Sequence, residues 1–176
     1  MRVIIQPYAA LSRRVQWVGM PYIIDGHNLI PKLGLRLDSP DDELELIAIL
    51  QEFSRLSRRE CEVFFDGAPA GQTSKYGIVT VHFVRLGVTA DSAIKTRLRN
   101  LGRAARNWIV VSSDHEVQGA ARDAQATAAS SEEFARQLKR INQDPAVDKA
   151  AGKLVRGKEL SSEEIEEWLK LFGKRK

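Results

Sequence analysis

The sequence predicts an α/β fold with a mainly parallel central sheet of about five strands. Three observations carry this. Apolar runs at 22–25, 61–65, 78–84 and 108–111 read as buried strands. Segments with helical apolar spacing separate most of them, and crossovers of that length favour parallel pairing. Three of the runs end in Asp, or in Ser-Ser-Asp. That puts carboxylates along the C-terminal ends of parallel strands, the edge where open α/β sheets bind ligands.

The elements follow in order. Tyr22-Ile23-Ile24-Asp25 is the first strand, and Gly26-His27-Asn28 after it reads as a turn. Residues 31–40 read as a loop. Ser39-Pro40-Asp41-Asp42 has the chemistry of a helix start: a Ser cap, Pro in the first turn and acids at the positive end of the dipole. Leu44, Ile47, Leu50, Phe53 and Leu56 continue at helical spacing, so this helix is expected to reach Arg58. Residues 61–65 are the second strand. Residues 67–77, rich in Gly, Ala, Pro, Thr and Ser, read as a loop.

Residues 78–84 are the third strand, partly alternating. Residues 89–105 form a helix with Asp91 in its first turn. The fourth strand, 108–111, ends at Ser112-Ser113-Asp114, and a short helix through Val117 and Ala121 follows. The small residues of 124–129 read as a weak fifth strand. Ser130-Ser131-Glu132-Glu133 is a capping box opening a helix through Phe134, Leu138 and Ile141. The domain is therefore placed at 20–143, with 1–19 as a disordered extension and 144–176 as a tail. In the tail, Ser161-Ser162-Glu163-Glu164 caps an apolar stripe of Ile165, Trp168, Leu169 and Phe172. That stripe reads as a helix docked on the core. Its alternative is a partner-docking helix whose basic tip, Lys174-Arg175-Lys176, touches nucleic acid.

Bulk properties narrow the function. With 176 residues the chain supports one domain with a good core. A net charge of +4 permits a polyanionic partner without requiring one. The single cysteine, Cys61, excludes an internal disulfide and a cysteine-based zinc site, and its place in a strand makes it an inert core thiol. His27, His82 and His115 lack zinc spacing. No apolar stretch is long enough to span a bilayer, and the expected compartment is the cytoplasm.

Four aspartates stand out: Asp25, Asp66, Asp91 and Asp114. Each alone has an ordinary explanation. Asp25 and Asp66 precede Gly and suit turns, whereas Asp91 and Asp114 suit helix caps. Together they would meet on one sheet edge and repel each other unless a cation lay among them. Oxygen donors in a small number suit Mg2+ or Mn2+, and such an ion implies phosphoryl chemistry. Asn28 would reach Asp25, Asp114 or a phosphate. Ser112 and Ser113 would bind phosphate or a carboxylate, or satisfy the turn backbone. Lys75, Arg85, Lys95 and Arg97 are the basic residues expected to track a phosphate backbone. Arg103 and Arg106 read as a solvated helix face.

The ordered set of Ile23-Ile24-Asp25-Gly26-His27-Asn28-Leu29-Ile30, Phe65-Asp66-Gly67, Gly87-Val88-Thr89-Ala90-Asp91 and Val111-Ser112-Ser113-Asp114 resembles the NYN domain family. Over residues 20–141 it most resembles the YacP-like branch, within the PIN-like nuclease superfamily. The resemblance implies a Rossmann-like, PIN-like α/β/α sandwich and metal-dependent endoribonuclease activity on single-stranded RNA, either free or presented on the ribosome. It carries acidic roles to Asp25, Asp66, Asp91 and Asp114 and a catalytic role to Asn28. Asp25, Asp91 and Asp114 would be the metal ligands. The Ala-rich stretch 120–129 departs from the polar, basic pattern expected there. Two other readings compete. One is an RNA- or ribosome-binding module of the same fold with little catalysis. The other is a small-molecule phosphatase, which would need a second Asp at the position of His27.

Overall fold

The first apolar run becomes the centre of the sheet. In this computed structural model, which describes residues 19–36 and 41–143, the strands are β1 (Tyr22–Asp25), β2 (Cys61–Ala68), β3 (Gln72–Tyr76), β4 (Val79–Arg85), β5 (Ile109–Val111) and β6 (Thr127–Ala129). The helices are α1 (Gly26–Leu33), α2 (Asp42–Ser57), α3 (Ala90–Leu101), α4 (His115–Asp123) and α5 (Ser131–Gln143), with a 3-10 turn at Gly102–Asn107. The strand order is β3-β4-β2-β1-β5-β6. Every pairing is parallel except that of β3 with β4. Among the described residues, those up to Leu138 form one compact unit with the sheet, and the end of α5 from Lys139 falls outside it.

Alternation along β1 splits the core into two layers. Ile23 faces a cluster made by Phe64, Val84 and Val110 of the sheet with Ile94 and Leu98 of α3 and Val117 and Ala121 of α4. Tyr22 faces the other way. Its ring lies 5.4 Å from Phe53 of α2 and 4.9 Å from Phe134 of α5, and those two rings are 5.3 Å apart. The fold is thus an α/β/α sandwich. Cys61 is fully buried and bonded to Ser54 Oγ at 3.2 Å, and burial pushes its thiol up to about 12, which makes it inert.

The structure differs from the sequence reading in three places. Gly26-His27-Asn28 is the first turn of α1, because the Asp25 carboxylate accepts the Asn28 N–H and so starts a helix instead of a loop. Gly34, at φ 84°, ends it, bonding back to Ile30 and Pro31 carbonyls. Second, the expected loop 67–77 contains β3, a polar edge strand, which makes six strands in place of five. Its backbone pairs with β4, helped by a side-chain bond of 3.1 Å between Thr73 Oγ1 and His82 Nδ1, and its alternating exposure matches an edge that faces water. Third, the helix expected over 89–105 ends at Leu101, where Gly102 takes φ 51° and a 3-10 turn takes over. The capping box at Ser130 is present: Glu133 N–H donates to Ser130 Oγ at 3.2 Å, and Ser130 N–H donates to Glu133 Oε2 at 3.1 Å. The Ser39-Pro40 helix start, the 1–18 segment and the tail helix with its 161–164 box lie outside the described residues.

Gly26 is fixed by close approach. A Cβ there would overlap the buried Phe65 ring and stand 3.0 Å from the Phe64 carbonyl oxygen. Gly26→Ala is expected to cost about 1–3 kcal/mol, the usual range for overpacking. Urea unfolding against the wild type measures it, and an unchanged midpoint would contradict this packing.

Candidate active site

β1 is the switch point of the sheet. The chain leaves it towards β2 and β4 on one side and later returns to β5 on the other. Parallel sheets open a crevice beyond the strand C-termini at such a point. Asp25 stands there at the end of β1, and only 6% of it is exposed. Its Oδ1 accepts the Asn28 N–H at 3.2 Å and its Oδ2 accepts the Ser112 hydroxyl at 3.0 Å. Burial pushes this carboxyl above its ordinary value. Asp91 and Asp66 push it further, and the two hydrogen bonds offset only part of the rise.

The other three carboxylates arrive from separate elements. Asp66 lies in an irregularity of β2 between Phe65 and Ala68, next to Gly67 at φ 89°. Such bulges re-aim a side chain at a strand end. Asp66 accepts the backbone N–H of Ala90 and so ties β2 to the start of α3. Asp91 follows in the first turn of α3. Capping there belongs to Thr89, whose Oγ1 accepts the Ser92 N–H at 3.2 Å, and not to Asp91 as its position suggested. Burial raises the Asp91 carboxyl, as do Asp114, Asp66 and Glu116, against the opposing pull of Lys95. Asp114 caps α4, accepting from Glu116 N–H at 2.7 Å and Val117 N–H at 3.1 Å.

The four aspartates therefore share one crevice and feel one another's charge. As placed, no three His, Cys, Asp or Glu side chains among the described residues are gathered tightly enough to grip an ion. The donor chemistry nevertheless fits a hard divalent cation. The donors are carboxylate oxygens, and two of the carboxyls are disfavoured as anions by burial and by one another.

A polar network fixes the crevice wall. Asn28 Oδ1 accepts both the Ser113 N–H at 3.0 Å and the Ser131 hydroxyl at 2.8 Å. Ser113 Oγ accepts the Ser131 N–H at 3.0 Å and donates to Glu132. Lys32 Nζ lies 2.7 Å from Glu132, and with Ser113 it holds that carboxyl down at about 2. Ser112 Oγ accepts the Asp114 N–H at 3.1 Å. One network thus joins α1, the β5–α4 loop and the start of α5. Ser131, Glu132 and Glu116 are site residues that sequence reasoning missed. Ser131 and Glu132 carried only a helix-start signal, and Asn28 lies 103 positions away from Ser131.

The basic residues separate. Arg85 ends β4 on the same edge as Asp66. Lys95 borders the crevice, 2.8 Å from Glu116. Lys75 does not reach it: β3 runs antiparallel, and pairing with Thr80 puts Lys75 near the far end of β4. Arg97 is half-buried and committed to an ion pair. It holds Glu62 with two bonds of 2.7 and 2.6 Å and lies 5.3 Å over the Trp108 ring. Burial would raise the Glu62 carboxyl, but His82 and Arg97 hold it at about 2. His27 bonds Glu43 at 3.2 Å, and that bond raises its imidazole against the effect of burial.

The sequence pattern of the YacP-like NYN domain matches residues 22–173. Among solved structures, a mutant of Rae1 (YacP) from Bacillus subtilis is 25% identical, with a TM-score of 0.61 over 87% of this chain and 92% of that one. Another crystal structure of Rae1 (YacP) from Bacillus subtilis gives a TM-score of 0.61 at 24% identity, over 85% and 92% of the two chains. No curated protein matches the chain.

The raised Asp25 carboxyl gives a testable sign. Its proton is held more tightly in the folded state, so the native state loses stability as pH rises from the ordinary carboxyl value through the raised one. Asn at this position accepts from Asn28 N–H and donates to Ser112 Oγ. In chelator at neutral pH, Asp25→Asn is therefore expected to melt higher than the wild type, by on the order of 2–4 °C. The difference should vanish at strongly acidic pH. Thermal melts at both pH values check this.

Proposed function

The chain belongs to the YacP-like NYN domain family, and on that premise we propose that it is a metal-dependent endoribonuclease hydrolysing phosphodiester bonds of single-stranded RNA. The observation that carries this reading is the meeting of Asp25, Asp66, Asp91 and Asp114 in one switch-point crevice, two of them raised by burial and mutual repulsion. Asp25, Asp91 and Asp114 would hold Mg2+ or Mn2+. The ion supplies neutralisation of phosphate charge and a lowered pKa for attacking water.

The chain's own residues do the positioning. Asp66 fixes the N-terminus of α3 through the Ala90 N–H and thereby places Asp91. Ser112 orients Asp25 and accepts from the backbone of Asp114, so it couples two of the proposed ligands. Asn28 is clamped through its amide oxygen by Ser113 and Ser131. That leaves its amide nitrogen to meet a phosphate oxygen. The Ser112 and Ser113 hydroxyls are spent on this scaffold, so their role is to hold the site and not to contact RNA. Arg85 and Lys95 remain as RNA guides; Lys75 and Arg97 do not. No helix among the described residues is long and apolar enough to cross a membrane, and we place the enzyme in the cytoplasm.

Asp91 makes no capping bond, so Asp91→Asn is expected to keep the fold. Cleavage of a labelled unstructured RNA in Mn2+ or Mg2+ should fall about 100-fold or more, the loss usual for a group that stabilises transition-state charge. Full activity in that variant would overturn the assignment. RNA binding with no cleavage in any metal would favour the binding module. Protons compete with the cation for Asp25 and Asp91, both raised above the ordinary value. Cleavage at limiting metal should therefore fall as the solution is acidified towards their pKa values, and added metal should move that fall to lower pH. Rate against pH at two metal concentrations measures this.

A further inference from the structure

We propose that the groove between α3 and α4 is a subsite for a nucleotide of single-stranded RNA lying next to the acidic crevice; this rests on the reading of the chain as an RNA-cleaving protein. The groove is an open depression of about 600 Å³, a volume within the range of about 300–1,000 Å³ typical of small-ligand sites. That is enough for a base and its ribose. Leu98 from α3, Ala120 from α4 and Ala124 just past the end of α4 give it an apolar floor. Lys95, Arg99 and Arg103 stand along its rim, with Asp123 as the opposing acid.

The position of the cations points to the ligand class. Asp91, Lys95 and Arg99 are spaced four apart on α3, so they form one stripe on one helix face with a rise of about 6 Å per step. Arg103 carries the line on into the 3-10 turn. The first member of the stripe belongs to the acidic crevice, and the next borders it: Asp91 and Asp114 both act on the Lys95 ammonium. A strand whose phosphate lies at the crevice is thus led directly onto a row of cations beside an apolar floor. Arg99 is steadied by a neutral partner, Thr96 Oγ1, at 2.9 Å, which leaves its charge for a phosphate. Single-strand sites combine these two elements, a cationic track and a surface for bases. The division of labour also accounts for the Ala-rich stretch at 120–129, whose one Arg and one Asp leave it without net charge: α3 supplies the cations, and Ala120 and Ala124 supply much of the floor.

The test is fluorescence anisotropy of a labelled unstructured RNA with the full chain in EDTA, where binding is read without cleavage. Two variants probe the two halves of the site. Arg99→Ala with Arg103→Ala removes exposed charges, and Ala124→Leu fills the floor with no change of charge. Each is expected to weaken binding about tenfold. The arginine pair should also reduce the slope of log K against log salt by about 0.7 for each phosphate no longer neutralised. Hydrolysis of a dinucleotide, which carries no phosphate beyond the scissile one for Arg99 and Arg103 to hold, should be unchanged in the arginine variant. Wild-type affinity in either variant, or no RNA binding by the wild type, would overturn the subsite. If Ala124→Leu fails to fold, the arginine pair decides alone. A wild type that binds but does not cleave, with both variants weakened, would sink the nuclease reading and leave the subsite standing.

Discussion

Asp25 is almost wholly withdrawn from water, yet it lies among three other carboxylates. Much of the local structure serves to keep it there. Its first oxygen starts α1, and that helix can begin so close to β2 only because Gly26 has no Cβ to meet Phe65. Its second oxygen takes the Ser112 hydroxyl, which also receives the backbone of Asp114 across the switch point. β1 supplies the carboxylate, and the β5–α4 loop supplies its partner. A charge buried in this way costs the native state free energy unless something neutralises it. Natural proteins keep such features where function requires them and compensate elsewhere.

The compensation is visible in the elements around the crevice. Aromatic packing of Tyr22, Phe53 and Phe134 holds β1 from below. On the opposite layer Arg97 braces α3 against β2 through Glu62 and is covered by Trp108, which fixes the helix that carries Asp91. The Asn28, Ser113, Ser131 and Glu132 network does the same for the wall nearest α5. Asn28 apart, none of these groups needs to touch a substrate. They hold the negative groups at fixed places, and preorganisation of that kind makes a charged site useful in catalysis.

The strands that bear the aspartates were legible because buried parallel strands are apolar throughout and end abruptly at a polar residue, as at Ile24-Asp25 and Phe65-Asp66. α4 and β6 were legible from Val117, Ala121 and the small residues that follow. α1 was not, because a two-turn helix with Gly at its start and Pro31 inside has no periodicity to read. β3 was hidden for the opposite reason: its polar side chains suit an exposed edge and look like a loop. That miss carried Lys75 to the wrong end of the sheet, since only strand direction fixes its distance from the crevice. Arg97 was misread because its partner, Glu62, is 35 positions away. Asp91 read equally well as a helix cap, a preference that Thr89 satisfies instead.

The central claim is that the crevice is a divalent cation site. Anomalous diffraction from crystals soaked in Mn2+ addresses it most directly. The account predicts a peak within coordination distance of the carboxylate oxygens of Asp25 and Asp91, with Asp114 turned towards it. A peak at another surface, or none in the crevice at a manganese concentration that supports cleavage, would contradict it.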